Sequence, residues 1–186
     1  MIMEGRGKFV SVWALILFVG PSVVRFSGVD AAMCGCPPLW TGFNDNCYRY
    51  FSSENMTHFD AELACQTFTT PCGEETSSSS VGHLVSIHSQ DEMDFISVMY
   101  ETLRSKRPGL GTRVWIGLHD RALEDSPDWT DGTQYDYSNW APGQPNDQNG
   151  ASDCVFFSKH QLYKWNDIAC GVSSRVEAYI CKIRQW

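Results

Sequence analysis

Eight cysteines in a chain of 186 residues limit the possible folds more than any other feature: Cys34, Cys36, Cys47, Cys65, Cys72, Cys154, Cys170 and Cys181. Their role depends on the compartment. Residues 1–31 read as a secretory signal. Arg6 and Lys8 precede an apolar run from Phe9 to Gly20, Pro21 breaks it, and Val29-Asp30-Ala31 offers a cleavage point before Ala32. A membrane anchor is the rival reading. A span needs roughly 20 apolar residues, whereas this run has 12 and Arg25 follows closely. In an oxidising compartment the cysteines pair as disulfides. A zinc site would need two clustered cysteine pairs, which the spacing does not supply. Spacing alone leaves the connectivity open.

The remaining residues, 32–186, suit one domain. They carry 20 acids against 11 bases, a net of -9. That balance excludes nucleic acid, whose phosphates need Lys and Arg, and suits cation binding or simple solubility. The chain shows no Gly-x-Ser-x-Gly, His-Glu-x-x-His or glycine-rich phosphate loop, so an enzyme is not expected. The five histidines, His58, His83, His88, His119 and His160, have neither metal nor triad spacing.

Local patterns divide the chain into two helices and several short strands. Thr57 with Asp60 and Ser89 with Glu92 have capping-box spacing, so a helix is expected after each. Phe59, Leu63, Ala64 and Phe68 would be the buried face of the first, and Phe95, Ile96, Met99 and Leu103 that of the second. Pro108-Gly109 ends the second helix. Residues 47–51, 84–87, 114–118, 154–157, 162–165 and 178–181 read as extended pieces. Residues 70–80, with Ser77 to Ser80, form a polar surface insertion.

Residues 119–153 form a long stretch rich in Asp, Asn, Gly and Pro. Irregular loops of that length are uncommon unless they are functional. With the nearby Asn166-Asp167, the stretch gathers Asp120, Glu124, Gln144, Asn146, Asp147 and Asp153, oxygen donors of the kind calcium takes in numbers of about six to eight. Pro145 restrains the backbone between Gln144 and Asn146, and a cis bond there would aim both amides to one side. By composition alone a solvated acidic loop remains the competing explanation.

At these residues the chain resembles a long-form C-type lectin domain across residues 36–182. The likeness is carried by Cys36-Pro37 through Trp40 to Cys47-Tyr48, the helix ending at Cys65, Trp115-Ile116-Gly117-Leu118, Asn139-Trp140, Gln144-Pro145-Asn146, Asp153-Cys154, Trp165-Asn166-Asp167, and Cys170 through Cys181. The Cys34-Gly35-Cys36 start is most similar to secreted invertebrate lectins of the echinoidin type. The resemblance implies an α+β fold of two helices and two small antiparallel sheets, with a long calcium-binding loop. It also implies disulfides Cys36–Cys47, Cys65–Cys181 and Cys154–Cys170, which leaves Cys34 and Cys72. Cys34 would then link two chains into a homodimer, or pair with Cys72 within one.

The resemblance further implies that a sugar-bearing Ca2+ is held by Gln144, Asn146, Ser152, Asn166 and Asp167, and an auxiliary Ca2+ by Asp120, Glu124, Asp147 and Asp153. The mannose-type signature of the family is Glu-Pro-Asn and the galactose-type is Gln-Pro-Asp; Gln144-Pro145-Asn146 mixes them. Ser152 stands where the family usually has Glu, so Asp167 is the one carboxylate left in the sugar set. Glycans or glycoproteins are the expected partners of a secreted, extracellular protein without membrane insertion. The alternative is a lectin-like protein without sugar binding, in a protein-ligand, matrix or mineral-associated role. Trp40, Trp115, Trp140 and Trp165 are expected in the core, and Asn55-Met56-Thr57 is a sequon for N-glycosylation at Asn55.

Overall fold

A computed structural model describes residues 35–53, 55–69, 81–124, 126–148, 150–171 and 176–185. The expected signal segment, Cys34, Cys72 and the Ser-rich stretch lie outside them.

Among the described residues, ten strands and α-helices follow one another: β1 Thr41–Phe43, β2 Asn46–Ser52, α1 His58–Gln66, β3 His83–Leu84, α2 Gln90–Lys106, β4 Arg113–His119, β5 Asp128–Trp129, β6 Cys154–Ser158, β7 Lys164–Ile168 and β8 Ala178–Arg184. Strands β1, β2, β8 and β3 pair antiparallel in one group, and β5, β4, β6 and β7 in another. The two groups meet at a short parallel pairing of β4 with β8, Val114 opposite Ala178 and Trp115 opposite Tyr179. The expected α+β class and its two antiparallel sheets are present, fused along this seam into one path. Gly117 lies close to the seam. A Cβ there would sit 2.7 Å from Thr130 Oγ1 and 2.8 Å from the Leu84 carbonyl, so only glycine lets these segments approach.

Both helices begin where their caps predict. Thr57 Oγ1 accepts from the Asp60 N–H at 3.0 Å, and Ser89 Oγ accepts from the Glu92 N–H at 3.1 Å. The carboxylate of Glu92 does not close a capping box. It is buried, accepting from the His88 N–H at 2.8 Å, the Tyr48 hydroxyl at 2.7 Å and Lys182 Nζ at 2.7 Å. That links α2 to β2 and β8.

The expected face of α1 needs correction in part: Ala64 and Phe68 do pack against the core. Phe59 and Leu63 are exposed, 55% and 46%, while His58, Ala61, Glu62 and Cys65 are buried. The helix is turned by two polar anchors. His58 Nε2 lies 2.9 Å from the Ile116 carbonyl, and Glu62 accepts from the Leu84 N–H at 2.8 Å and pairs with His83 at 2.6 Å. A buried carboxylate or imidazole left without its partner costs roughly 1–3 kcal/mol or more, comparable to the burial that Phe59 and Leu63 forgo. The face of α2 matches better, since Ile96 and Met99 are buried and Phe95 and Leu103 pack against the core. Leu162 and Tyr163, read as strand, instead form a left-handed turn with φ of 56° and 63° between β6 and β7.

The three disulfides implied by the family resemblance are present: Cys36–Cys47, Cys65–Cys181 and Cys154–Cys170. Cys65–Cys181 ties α1 to β8, and Cys154–Cys170 ties the start of β6 to the segment after β7. Trp115 and Trp165 are fully buried, Trp40 nearly so, and Trp140 is half-buried.

Candidate functional site

The long loop leaves β4 at His119 and returns at Cys154 beside it, where His119 pairs with Cys154. Its base is fixed by the Asp120 N–H donating to the Asp153 carbonyl at 3.1 Å. Trp140 anchors its middle: a bridge pairs it with Trp165, and the Ala141 N–H donates to the Trp165 carbonyl at 2.9 Å. The Gln144–Pro145 bond is cis.

Asp167, on β7, organises the loop tip. One carboxylate oxygen accepts from the Asn146 N–H at 2.9 Å and the other from the Asp147 N–H at 2.6 Å. Asp147 in turn accepts from the Ser152 N–H at 3.1 Å through its side chain and from the Gly150 N–H at 3.1 Å through its carbonyl. Asp147 has φ of 35° and Gly150 of 63°, a tight reversal in which glycine carries no penalty.

These bonds enclose a cavity of about 270 Å³. Its wall includes Asp120, Glu124, Asp147, Ser152 and Asp167, together with Pro145. Members of both expected calcium sets therefore share one cavity, joined through Asp147. The other expected ligands are placed differently. Asn146 is exposed, and Asn166 is buried with Nδ2 donating to the Lys164 carbonyl at 3.2 Å. Asp153 contributes its carbonyl to Asp120, as above. His119, Pro127, Trp140 and Val155 complete the wall; Trp140 was expected in the core and His119 without a metal role, while Pro127 and Val155 were not singled out from sequence. The only sequence signal of Pro127 and Val155 is adjacency to the acidic loop. Burial, then the charge of Arg121, holds the His119 imidazole below the usual histidine range.

Among the described residues, no three His, Cys, Asp or Glu side chains stand close enough together to hold a metal ion by themselves. A calcium ion here would rely on amide, hydroxyl and backbone oxygens beside the carboxylates, as calcium sites commonly do. One observation fits that requirement. Among the described residues, Gln144 Oε1 is buried without a hydrogen-bond partner, a state that native proteins rarely leave uncompensated. A cation bound beside it would satisfy it. The donor set is all oxygen, which matches a hard cation and not zinc.

Asn55 is exposed, with φ of 61°, and Thr57 of its sequon is committed to capping α1. No helix among the described residues is long and apolar enough to cross a membrane.

Residues 54–183 match the family model described as Lectin C-type domain. Echinoidin of Heliocidaris crassispina is 35% identical over 151 residues, which cover 81% of this chain and 98% of that one. The alpha-N-acetylgalactosamine-specific lectin of Patiria pectinifera is 40% identical over 155 residues, covering 80% of this chain and 82% of that protein. Among solved structures, the C-type lectin CEL-I from Cucumaria echinata is similar with a TM-score of 0.65 and 30% identity, over 79% of this chain and 96% of that chain.

Proposed function

Because this chain belongs to the lectin C-type domain family, we propose that it is a secreted lectin that binds glycans through calcium held in the long loop. It is a binding protein and not an enzyme, as its lectin relatives are. The observation that carries the reading is the tip of the loop. Asp167 clamps the backbone of Asn146 and Asp147, while the Gln144 side chain keeps a buried Oε1 without a partner among the described residues.

The residues proposed to hold the sugar-bearing ion are Gln144, Asn146, Ser152, Asn166 and Asp167. Those proposed for the auxiliary ion are Asp120, Glu124, Asp147 and Asp153. The bound ion would supply positions that vicinal sugar hydroxyls can fill in place of water. The chain's own residues then orient the sugar. Gln144 and Asn146 give carbonyl oxygens to the ion and keep NH2 donors for sugar oxygens. Asp167 sets the height of the loop tip through its two amide acceptances. A glycan array run in millimolar calcium and again with EDTA tests this. Binding that appears only with calcium supports it, and an array blank in both conditions removes it.

A second reading is a lectin-like protein with a protein, matrix or mineral partner, and Ser152 is the observation that favours it, because a hydroxyl there adds no charge to the ion's shell. A Cys34-linked homodimer is also proposed. On non-reducing gels the wild type should run as a dimer and Cys34→Ser as a monomer; a monomeric wild type refutes it.

A further inference from the structure

The charges of the chain are not spread evenly. The loop of residues 119–153 carries eight acids against one base, Arg121. The end of the molecule opposite that loop has the reverse balance. There α2 finishes, β4 begins and β6 turns into β7, with the Lys159 N–H donating to the Thr112 carbonyl at 3.0 Å. Residues 101–113 and 159–164 bring six bases to this end, Arg104, Lys106, Arg107, Arg113, Lys159 and Lys164, against one acid, Glu101. Glu101 already accepts from Lys159 Nζ and the Tyr163 hydroxyl. A further acid near this end, Glu177, accepts from the Thr112 N–H at 2.7 Å. Bases in the last turn of α2 complement the helix dipole, but Arg113, Lys159 and Lys164 belong to other elements. Lys106 and Arg107 are exposed. Arg104 donates to the Tyr100 hydroxyl at 3.2 Å, and the Arg113 guanidinium stands 5.4 Å from the centre of the Phe156 ring, so both are held in place before any ligand arrives.

We infer that this basic end is a second binding face, independent of calcium, for a linear sulfated polysaccharide. Sulfate is a tetrahedral oxyanion, of the kind that the planar fork of Arg grips by two oxygens. A linear polymer can lay successive sulfates along bases that come from separate segments. The net charge of -9 on residues 32–186 acts mostly elsewhere. β4 has seven residues, so at about 3.4 Å per residue its two ends lie roughly 20 Å apart. The Debye length at physiological salt is about 8 Å, so the acids of the loop are largely screened from this end. A lipid surface fits less well, because it takes up apolar area as well as charge, and the large apolar side chains exposed on α2 and in the turn after β6 are Val98 and Leu162.

The test is surface plasmon resonance on immobilised heparin, at physiological salt and in EDTA, which keeps the proposed calcium site out of the measurement. The wild type is expected to bind, and to weaken steeply as salt rises, because each neutralised sulfate releases counterions as a phosphate does. Exposed charge contacts contribute modestly one by one, so the double variant Lys106→Ala with Arg107→Ala should weaken binding by roughly fourfold to twentyfold while Tm stays as it was. Lys106→Glu with Arg107→Glu should abolish it. Arg184→Ala removes an exposed base at the far end of β8 and should leave binding unchanged. A wild type that does not bind heparin overturns the inference. So does an Arg184→Ala loss as large as that of the double variant, which would mean that net charge alone is read. Equal binding of desulfated heparin or of duplex DNA overturns it as well, since sulfate would then not be what the face selects. Capture by phosphatidylserine vesicles without capture by heparin would assign the face to a lipid surface instead. None of these outcomes bears on the glycan array, which tests the calcium-dependent reading separately.

Discussion

His58 is the group whose protonation the fold most resists. It is fully buried at the start of α1, against the Trp115 and His119 rings. Nε2 faces the Ile116 carbonyl at 2.9 Å, so Nε2 carries the proton and donates. Nδ1 has no partner. Burial, which outweighs the bond to Ile116, lowers its pKa from 6.5 to about 3. The folded value is depressed, so the unfolded chain binds the proton first as pH falls. The stability is complete above pH 6.5, declines as pH drops, and is fully lost only below about pH 3. Each pH unit inside that window costs about 1.4 kcal/mol, so the whole window costs about 5 kcal/mol and the fall from about pH 7 to about pH 5 costs about 2 kcal/mol. For a domain of this size that corresponds to roughly 4–8 °C in Tm. His58→Gln is the informative change, because a Gln amide can still donate to Ile116 yet does not titrate. Urea unfolding followed by tryptophan fluorescence, at fixed calcium with disulfides intact, gives stability at each pH for both proteins. Wild type should lose about 2 kcal/mol more than H58Q between those pH values. A difference that stays constant with pH would show that His58 carries no such penalty, and the argument from its burial would be refuted.

Three further outcomes are expected. Millimolar calcium should raise Tm relative to EDTA, because an ion that binds only the folded loop stabilises by mass action; equal melting in both buffers would exclude a calcium site of any consequence. Lys182→Met should cost about 3–5 kcal/mol in chemical denaturation, since Glu92 would stay buried without its cation; a loss below about 1 kcal/mol would mean that Tyr48 and the His88 N–H suffice to hold Glu92. His83→Gln probes the opposite sign to His58. The hydrogen bond to Glu62 raises the His83 pKa, so its stabilisation is complete below pH 6.5 and disappears as pH rises through the folded value. Its variant should therefore lose most near pH 6 and least near pH 9, and a loss that grows with pH would contradict the pairing.

Much of this was legible from sequence where the signal is local. Thr57 and Ser89 fixed two helix starts because a cap reads a group three residues away. Gln144-Pro145-Asn146, Asp153-Cys154 and Trp165-Asn166-Asp167 carried the family resemblance because they are short and contiguous. What failed depends on distant partners. Nothing near Glu62 announces Leu84 and His83, twenty-odd residues on, so the apolar pattern of Phe59 and Leu63 looked like the buried face. Glu92 has the spacing of a capping residue, yet its partners Tyr48 and Lys182 lie in β2 and β8. Leu162 and Tyr163 adopt left-handed φ without glycine or asparagine to mark it. The two proposed ion sets read as separate lists in sequence, and only the reversal at Asp147 makes them share a wall.

The bridge between Cys65 and Cys181 also has a mechanical meaning. When the chain is pulled from its two ends, tension crosses from Cys36 to Cys47, follows the chain to Cys65 and leaves through Cys181. Residues 66–180 hang as a closed loop off that line and bear no load. Cys36–Cys47 shields residues 37–46, with β1, in the same way. A tether on either end could therefore be stretched until it failed elsewhere, and the loop tip held by Asp167 would keep its shape and its grip throughout.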